Sequence, residues 1–127
     1  MEALVINTAS LAGFVPIAET PAYVASKHGV VGLTRSFGMP FHYNKDEITF
    51  AAICPHFVVN IYLQNDKSKL VIPTLSLPNQ PDKISPEFVA KGVLKILEDK
   101  INGSTLHIGA DGYHYEELEE RFKILIP

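Results

Sequence analysis

The sequence has one cysteine, Cys54, set in an apolar run. One thiol cannot close an internal disulfide, so a buried thiol in a reducing compartment is expected. Basic tracts are missing too: no run of Lys or Arg exceeds two residues, and the net charge is -3. That balance argues against a nucleic-acid surface and against a polybasic membrane patch. The apolar stretches fall far short of a bilayer span, and Met1-Glu2-Ala3 does not open a signal peptide, so the expected location is cytoplasmic and off the membrane. The histidines His28, His42, His56, His107 and His114 show no ligand spacing, and no metal is expected. Ser10 lacks the glycines of a nucleophile elbow, which speaks against a hydrolase. A G-x-G-x-x-G turn is absent; Gly29-Val30-Val31-Gly32 falls inside a helical stretch and reads as a packing feature.

What is present is globular. Hydrophobic residues make up 46% of the 127 and charged residues 20%, enough for one domain with a core and too apolar for disorder. Ala3-Leu4-Val5-Ile6-Asn7 and Ile48–Cys54 are continuous apolar runs, the signature of parallel strands buried on both faces. A strand so close to residue 1 suggests that an amino-terminal portion of the fold is missing. Thr20-Pro21 signals a helix start, with Thr as N-cap and Pro at the first helical position; Gly38-Met39-Pro40 stops that helix. Ala22, Ala25, Ser26, Gly29, Gly32 (or Leu33) and Ser36 form a small-residue stripe on it, expected to pack closely on a sheet or another helix.

Residues 56–85 are punctuated by prolines and read as a substrate loop with one short helix near 60–67. Ser85-Pro86 opens a second amphipathic helix, Asn102-Gly103 is a turn, and Thr105–Ile108 is a third strand. Tyr115, Leu118, Phe122 and Leu125 suggest a closing helix, with Glu117–Arg121 and Glu119–Lys123 pairs on its outside. The order β-α-β-loop-α-β-α predicts an α/β sheet of about three strands with crossover helices.

Chemistry concentrates near the amino terminus. Tyr23 and Lys27 lie four residues apart in the first helix and so share a face. A free phenol titrates near pH 10, and an ammonium within about 4–6 Å favours its phenolate, which makes it a stronger base. Ser10, on the loop leaving the first strand, can hydrogen-bond a substrate oxygen and hold it against the phenol. The bare Tyr-x-x-x-Lys pair carries little alone, because a chain of this composition produces about 0.35 by chance.

Its surroundings are more specific. Asn7-Thr8-Ala9-Ser10-Leu11-Ala12-Gly13, Pro21-Ala22-Tyr23-Val24-Ala25-Ser26-Lys27-His28-Gly29 and Ala52-Ile53-Cys54-Pro55 resemble successive signatures of the classical short-chain dehydrogenase/reductase family. Within it the chain is similar to the branch of 15-hydroxyprostaglandin dehydrogenase and the insect alcohol dehydrogenases. The clear resemblance covers about residues 3–60 and implies the carboxyl-terminal part of a Rossmann-like doubly wound parallel sheet, its amino-terminal dinucleotide-binding half missing. It implies an NAD-dependent oxidoreductase, NADP remaining open, acting on a secondary alcohol or ketone, with a homo-oligomer in the full-length form. By the same resemblance Ser10 orients substrate and Tyr23 is the acid/base. Lys27 acts on Tyr23 and the nicotinamide ribose, while Val58 and Asn60 meet the cofactor.

Thr20 falls in the substrate-facing loop of the resemblance, although its N-cap role is the preferred reading. Departures are also plain. The family's TGxxxGxG turn, NNAG segment and upstream catalytic Asn are absent, and His56 replaces a glycine after Pro55, with strain expected if that position has φ > 0. Asn60 replaces a cofactor-contacting Thr, and Pro40 truncates a helix that is commonly longer. The competing expectation is a catalytically inactive fragment or truncated paralogue that acts only through protein association.

Overall fold

A computed structural model describes residues 2–58 and 83–119. Two parallel strands open the sheet: β1 (Ala3–Thr8) pairs along its length with β2 (Ile48–Pro55), Leu4 facing Thr49 and Thr8 facing Ile53. β3 (Ser104–Gly109) continues in parallel on the other side of β2, and β4 (Gly112–Tyr115) turns back antiparallel against β3. The order β1-β2-β3-β4 leaves β1 at one edge.

Side chains of β2 divide between two cores, as alternate residues of a strand must. Ala51 and Ile53 join Ile84, Ile96, Leu106 and Ile108 beneath α3 (Pro86–Asp99), while Ala52 and Cys54 join Ala9 and Val31 beneath α1 (Pro21–Phe37). One helix on each face is the doubly wound layering expected from the continuous apolar strands.

The helix starts follow their local chemistry. Ser85 Oγ accepts the Phe88 N–H at 3.1 Å, capping α3 as the Ser-Pro pair predicts. Lys100, in the left-handed region at φ 48°, ends that helix, and Asn102 Oδ1 then accepts the Phe50 N–H at 2.9 Å, tying the following turn to β2. Where α1 ends, Gly38 meets Gly103 backbone to backbone. A Cβ on Gly38 would stand 2.2 Å from Gly103 Cα, so only glycine permits the crossing.

Several expectations fail. The small-residue stripe of α1 does not face the sheet: Ala22, Ala25, Ser26, Gly29, Gly32 and Ser36 are exposed, and Gly29 and Gly32 have nothing within 4 Å of an added Cβ. α1 docks instead through Val31, which joins the Ala9–Ala52–Cys54 core, and through Thr34, whose hydroxyl accepts from Asn7 of β1. Pro40 does not simply truncate a helix. It opens a further short one, α2 (Pro40–Asp46), with proline at its first position. Tyr115 belongs to β4, and residues 116–119 are not helical, so the closing helix is absent as far as the described residues reach. Gly112, at φ 117°, makes the hairpin turn that brings Tyr113 back beside Ile108. The helix near 60–67, most of the 56–85 loop and the Glu117–Arg121 and Glu119–Lys123 pairs involve positions outside the described residues. Among those described, no helix is long and apolar enough to cross a membrane.

Candidate active site

The carboxyl ends of β1 and β2 lie side by side, and the chain leaving each builds one wall of a cavity of about 600 Å3. Past Thr8, the Ala9 N–H still donates to Ile53 O at 2.8 Å, so the exit from β1 is fixed to its neighbour. Ser10 follows in extended conformation, and its Oγ accepts the Ala12 N–H at 3.1 Å, capping the single 3-10 turn Leu11–Gly13. That bond consumes an acceptor site of the hydroxyl and leaves its hydrogen free to donate. Gly13 lets the turn lie on α1: a Cβ there would come within 2.7 Å of Val31 Cγ2 and 3.0 Å of Lys27 O.

α1 then delivers Tyr23 in its first turn and Lys27 one turn later. The Tyr23 side of the residue is open, with 47% of its surface exposed. Lys27 Nζ donates to Thr8 O at 3.0 Å and lies 5.6 Å from the centre of the Tyr23 ring. One donor of the ammonium is thus anchored to the strand end, and two remain for a ligand.

Ser10, Thr20, Tyr23, Lys27 and Val58 all line this cavity. Apolar side chains contribute to it, among them Leu11, Ile17 and Phe57, and among the described residues no Asp or Glu lines the wall. Val58 bridges to Ile84, and the Ile84 N–H donates to Phe57 O at 2.8 Å, pinning the two ends of the 56–85 loop together. Asn60 lies outside the described residues.

Thr20 departs from its expected role. It precedes α1, but its hydroxyl makes no cap bond; Oγ1 is buried and without a hydrogen-bond partner. A buried hydroxyl left unpaired costs about 1–3 kcal/mol, and that cost is removed if a bound molecule supplies the partner. The N-cap role expected for Thr20 is not made by its side chain, although Thr20 does line the cavity.

His56 is the residue whose place sequence reasoning missed. Its ring forms part of the cavity wall, and its Nε2 lies 3.4 Å from Nδ1 of His107, 51 positions along the chain. Strain is absent: the only described non-glycine residues with positive φ are Glu47 and Lys100. The signal available in the sequence was His56 standing where a family glycine is usual.

A model of the family described as short chain dehydrogenase matches residues 1–69, more than half the chain and all of the Ser10–Tyr23–Lys27 region. The chain belongs to the short chain dehydrogenase family. Rattus norvegicus 15-hydroxyprostaglandin dehydrogenase [NAD(+)] is 31% identical over 126 residues, covering 91% of this chain and 47% of that protein. Alcohol dehydrogenase 2 of Ceratitis rosa is 40% identical over 52 residues, 41% of this chain and 20% of that protein. Among solved structures, 4-hydroxyisoleucine dehydrogenase complexed with NADH superposes with a TM-score of 0.65 at 22% identity, over 86% of this chain and 46% of that one. This member of the family therefore has the branch likeness its motifs suggested, and it spans about half the length of the 15-hydroxyprostaglandin dehydrogenases it matches. The partial doubly wound sheet agrees with that coverage.

Proposed function

We propose that residues 1–127 form the catalytic half of a nicotinamide-dependent oxidoreductase that interconverts a secondary alcohol and a ketone, with residues 56–85 as its substrate loop. The convergence of Ser10, Tyr23 and Lys27 on one largely apolar cavity carries this reading. A volume of about 600 Å3 lies in the range of small-molecule sites and admits a small apolar alcohol beside a nicotinamide ring. NAD is the proposed cofactor, from the named specificity of the 15-hydroxyprostaglandin relatives. The residues present fit its nicotinamide end: Lys27 keeps two donors for ribose hydroxyls, and Val58 offers backbone groups at the rim. The TGxxxGxG turn that would hold the pyrophosphate does not occur within these residues. When bound, the cofactor supplies the hydride acceptor.

In the oxidising direction the Ser10 O–H donates to the substrate oxygen and fixes its direction. The Tyr23 phenolate takes the alcohol proton as the C–H bond breaks and the carbonyl forms. Lys27, held by Thr8 O, stands beside Tyr23 and keeps donors for the cofactor ribose. Thr20 offers the buried hydroxyl to a second polar atom of the substrate. The full-length form is proposed to be a cytoplasmic homo-oligomer, with no nucleic-acid or membrane partner.

The test joins residues 1–127 to an amino-terminal dinucleotide-binding half of the family and assays NAD-dependent oxidation of secondary alcohols. Tyr23→Phe is expected to lower kcat by about 10²–10⁴. Activity unchanged in that variant overturns the reading. The isolated 127 residues are expected to bind NADH negligibly; tight, saturable binding contradicts a divided cofactor site.

A second reading, association without catalysis, is favoured by one observation. Among the described residues, β1 presents an unpaired edge with neither proline nor charge on it, and Val5 is 37% exposed. It requires self-association of the isolated chain in sedimentation, and a monodisperse monomer at high concentration refutes it.

A further inference from the structure

His56, at the cavity wall, touches a line of groups that leads outward. Its Nε2 lies 3.4 Å from His107 Nδ1, and His107 Nε2 lies 3.7 Å from Glu116 Oε2. His56 lines the cavity, the His107 ring is enclosed, with 12% of its side chain exposed, and the carboxylate is 53% exposed. We propose that His56, His107 and Glu116 form a proton relay from the cavity to the surface, separate from the Tyr23–Lys27 pair. Its existence stands on this geometry alone; its use in turnover rests on the oxidoreductase reading above.

The seat of the first ring is built. Gly109 lies under His56, where a Cβ would stand 2.8 Å from Nδ1 and 3.1 Å from Cε1, so any other residue displaces the imidazole. The His56 N–H donates to Ile108 O at 2.9 Å and fixes the backbone beside β3. The Phe14 ring packs on His107 with centroids 4.5 Å apart and closes the ring off from solvent.

The tautomers follow from the contacts. With His56 protonated on Nε2, that N–H donates to His107 Nδ1, and the His107 proton then sits on Nε2, aimed at Glu116. This also explains the buried His107 Nε2, which has no partner within hydrogen-bond distance and needs only a small approach of Glu116. A proton arriving on His56 Nδ1 makes it imidazolium. The Nε2–H bond of His56 breaks as a proton joins His107 Nδ1, and His107 Nε2–H gives its proton to Glu116 Oε2, which releases it to water. One proton enters and one leaves, and no oxidant or reductant is needed; the passage leaves both rings protonated on Nδ1, and reorientation of the rings returns the starting tautomers before the next proton. Alcohol oxidation liberates such a proton, and Tyr23 opens on the same cavity as His56.

The charged and titratable neighbours suit passage, not storage. Arg35 of α1, Cys54 opposite His107 on β2, His114 of β4 and His56 itself face the second ring, with Glu116 as the acid. His114 is engaged by Asp111 at 3.2 Å. Burial holds His107 below the ordinary imidazole value, Glu116 pulls it up, and His56, Arg35 and His114 push it down. A ring that resists lasting protonation hands its proton on.

The experiment is side-chain NMR of the labelled 127-residue chain, using amide spectra to verify folding. His56→Gln is expected to raise the titration midpoint of His107 by removing a positive neighbour, and Glu116→Gln to lower it. Glu116→Gln is also expected to slow exchange of the His107 ring proton with water by about tenfold or more, while the surface control Glu98→Gln leaves it unchanged. Gly109→Ala, which moves the His56 ring, is expected to reproduce the His56→Gln midpoint shift. If His107 ignores either substitution, or its exchange is indifferent to Glu116, the relay is refuted. A relay that passes alongside an enzyme assay showing no alcohol oxidation overturns the functional reading and leaves the relay standing. In an active enzyme, an unchanged pH profile for Glu116→Gln overturns its use in turnover.

Discussion

Thr34→Val tests how the strand that leads to Ser10 is held to the helix that carries Tyr23 and Lys27. Thr34 is fully buried; its Oγ1 donates to Val30 O at 2.9 Å and accepts from Asn7 Nδ2 at 3.0 Å. Asn7 immediately precedes Thr8, whose carbonyl anchors Lys27, so this bond sets the register of site and strand. Valine keeps the shape and removes both bonds. The net loss is about 1 kcal/mol for the interstrand-to-helix bond, plus a share of the roughly 1–3 kcal/mol desolvation cost of the abandoned Asn7 donor. Asn7 is only partly buried and water restores some of that, so about 1–2 kcal/mol is expected. For a chain of this length the corresponding fall in Tm is roughly 4–8 °C. Thermal unfolding by circular dichroism of Thr34→Val, Asn7→Ala and the double variant measures it. The cycle should show a coupling of at least about 0.5 kcal/mol. Strict additivity, or a Thr34→Val variant as stable as the parent, refutes the idea that this bond joins strand to helix.

Burial pushes the Cys54 thiol up to about 12, against a usual value of 9.0, so at pH 8 it should react with a disulfide reagent about a thousandfold more slowly than free cysteine. Reaction at the free rate under native conditions contradicts its burial. His107 is held below the imidazole range by burial, so the unfolded chain binds the proton more tightly. Its contribution to stability is complete above about pH 6.5 and is lost as pH falls through the folded value. Urea midpoints between pH 7.5 and 5 should fall less in His107→Gln than in the parent, and equal slopes refute this. Gly38→Ala places a Cβ 2.2 Å from Gly103 Cα and 2.4 Å from its N, and should cost about 3 kcal/mol in chemical denaturation. A loss below about 1 kcal/mol means that the crossing relaxes.

The parallel strands were legible from their apolar runs, and in β2 (Ile48–Pro55) the run is indeed buried on both faces; β1 (Ala3–Thr8) is not, since Ala3, Val5 and Thr8 are exposed at the sheet edge. Helix starts were legible because Pro21 and Pro86 tolerate only a first-turn position there. The hairpin was not. Asp111-Gly112 carries the turn signal, but Tyr115 also fits the first position of an apolar helical stripe, and only its pairing with Leu106 across the sheet assigns it to a strand. The facing of α1 is not legible either: its small residues and the pair Val31 and Thr34 lie on adjacent stripes of one helix, and only packing on the sheet chooses between them. Ser10, Tyr23 and Lys27 reached one cavity because a loop and a single helix turn bring them there. His56 and His107 meet only through the pairing of β2 with β3, a contact that no local pattern announces.

Lys27 is anchored to a main-chain oxygen, not to a side chain. Every amino acid at position 8 supplies the same oxygen, so drift at that site leaves the ammonium where it is. Natural variants should therefore tolerate diverse residues at position 8, provided the strand pairs, while position 27 admits none that shortens the reach.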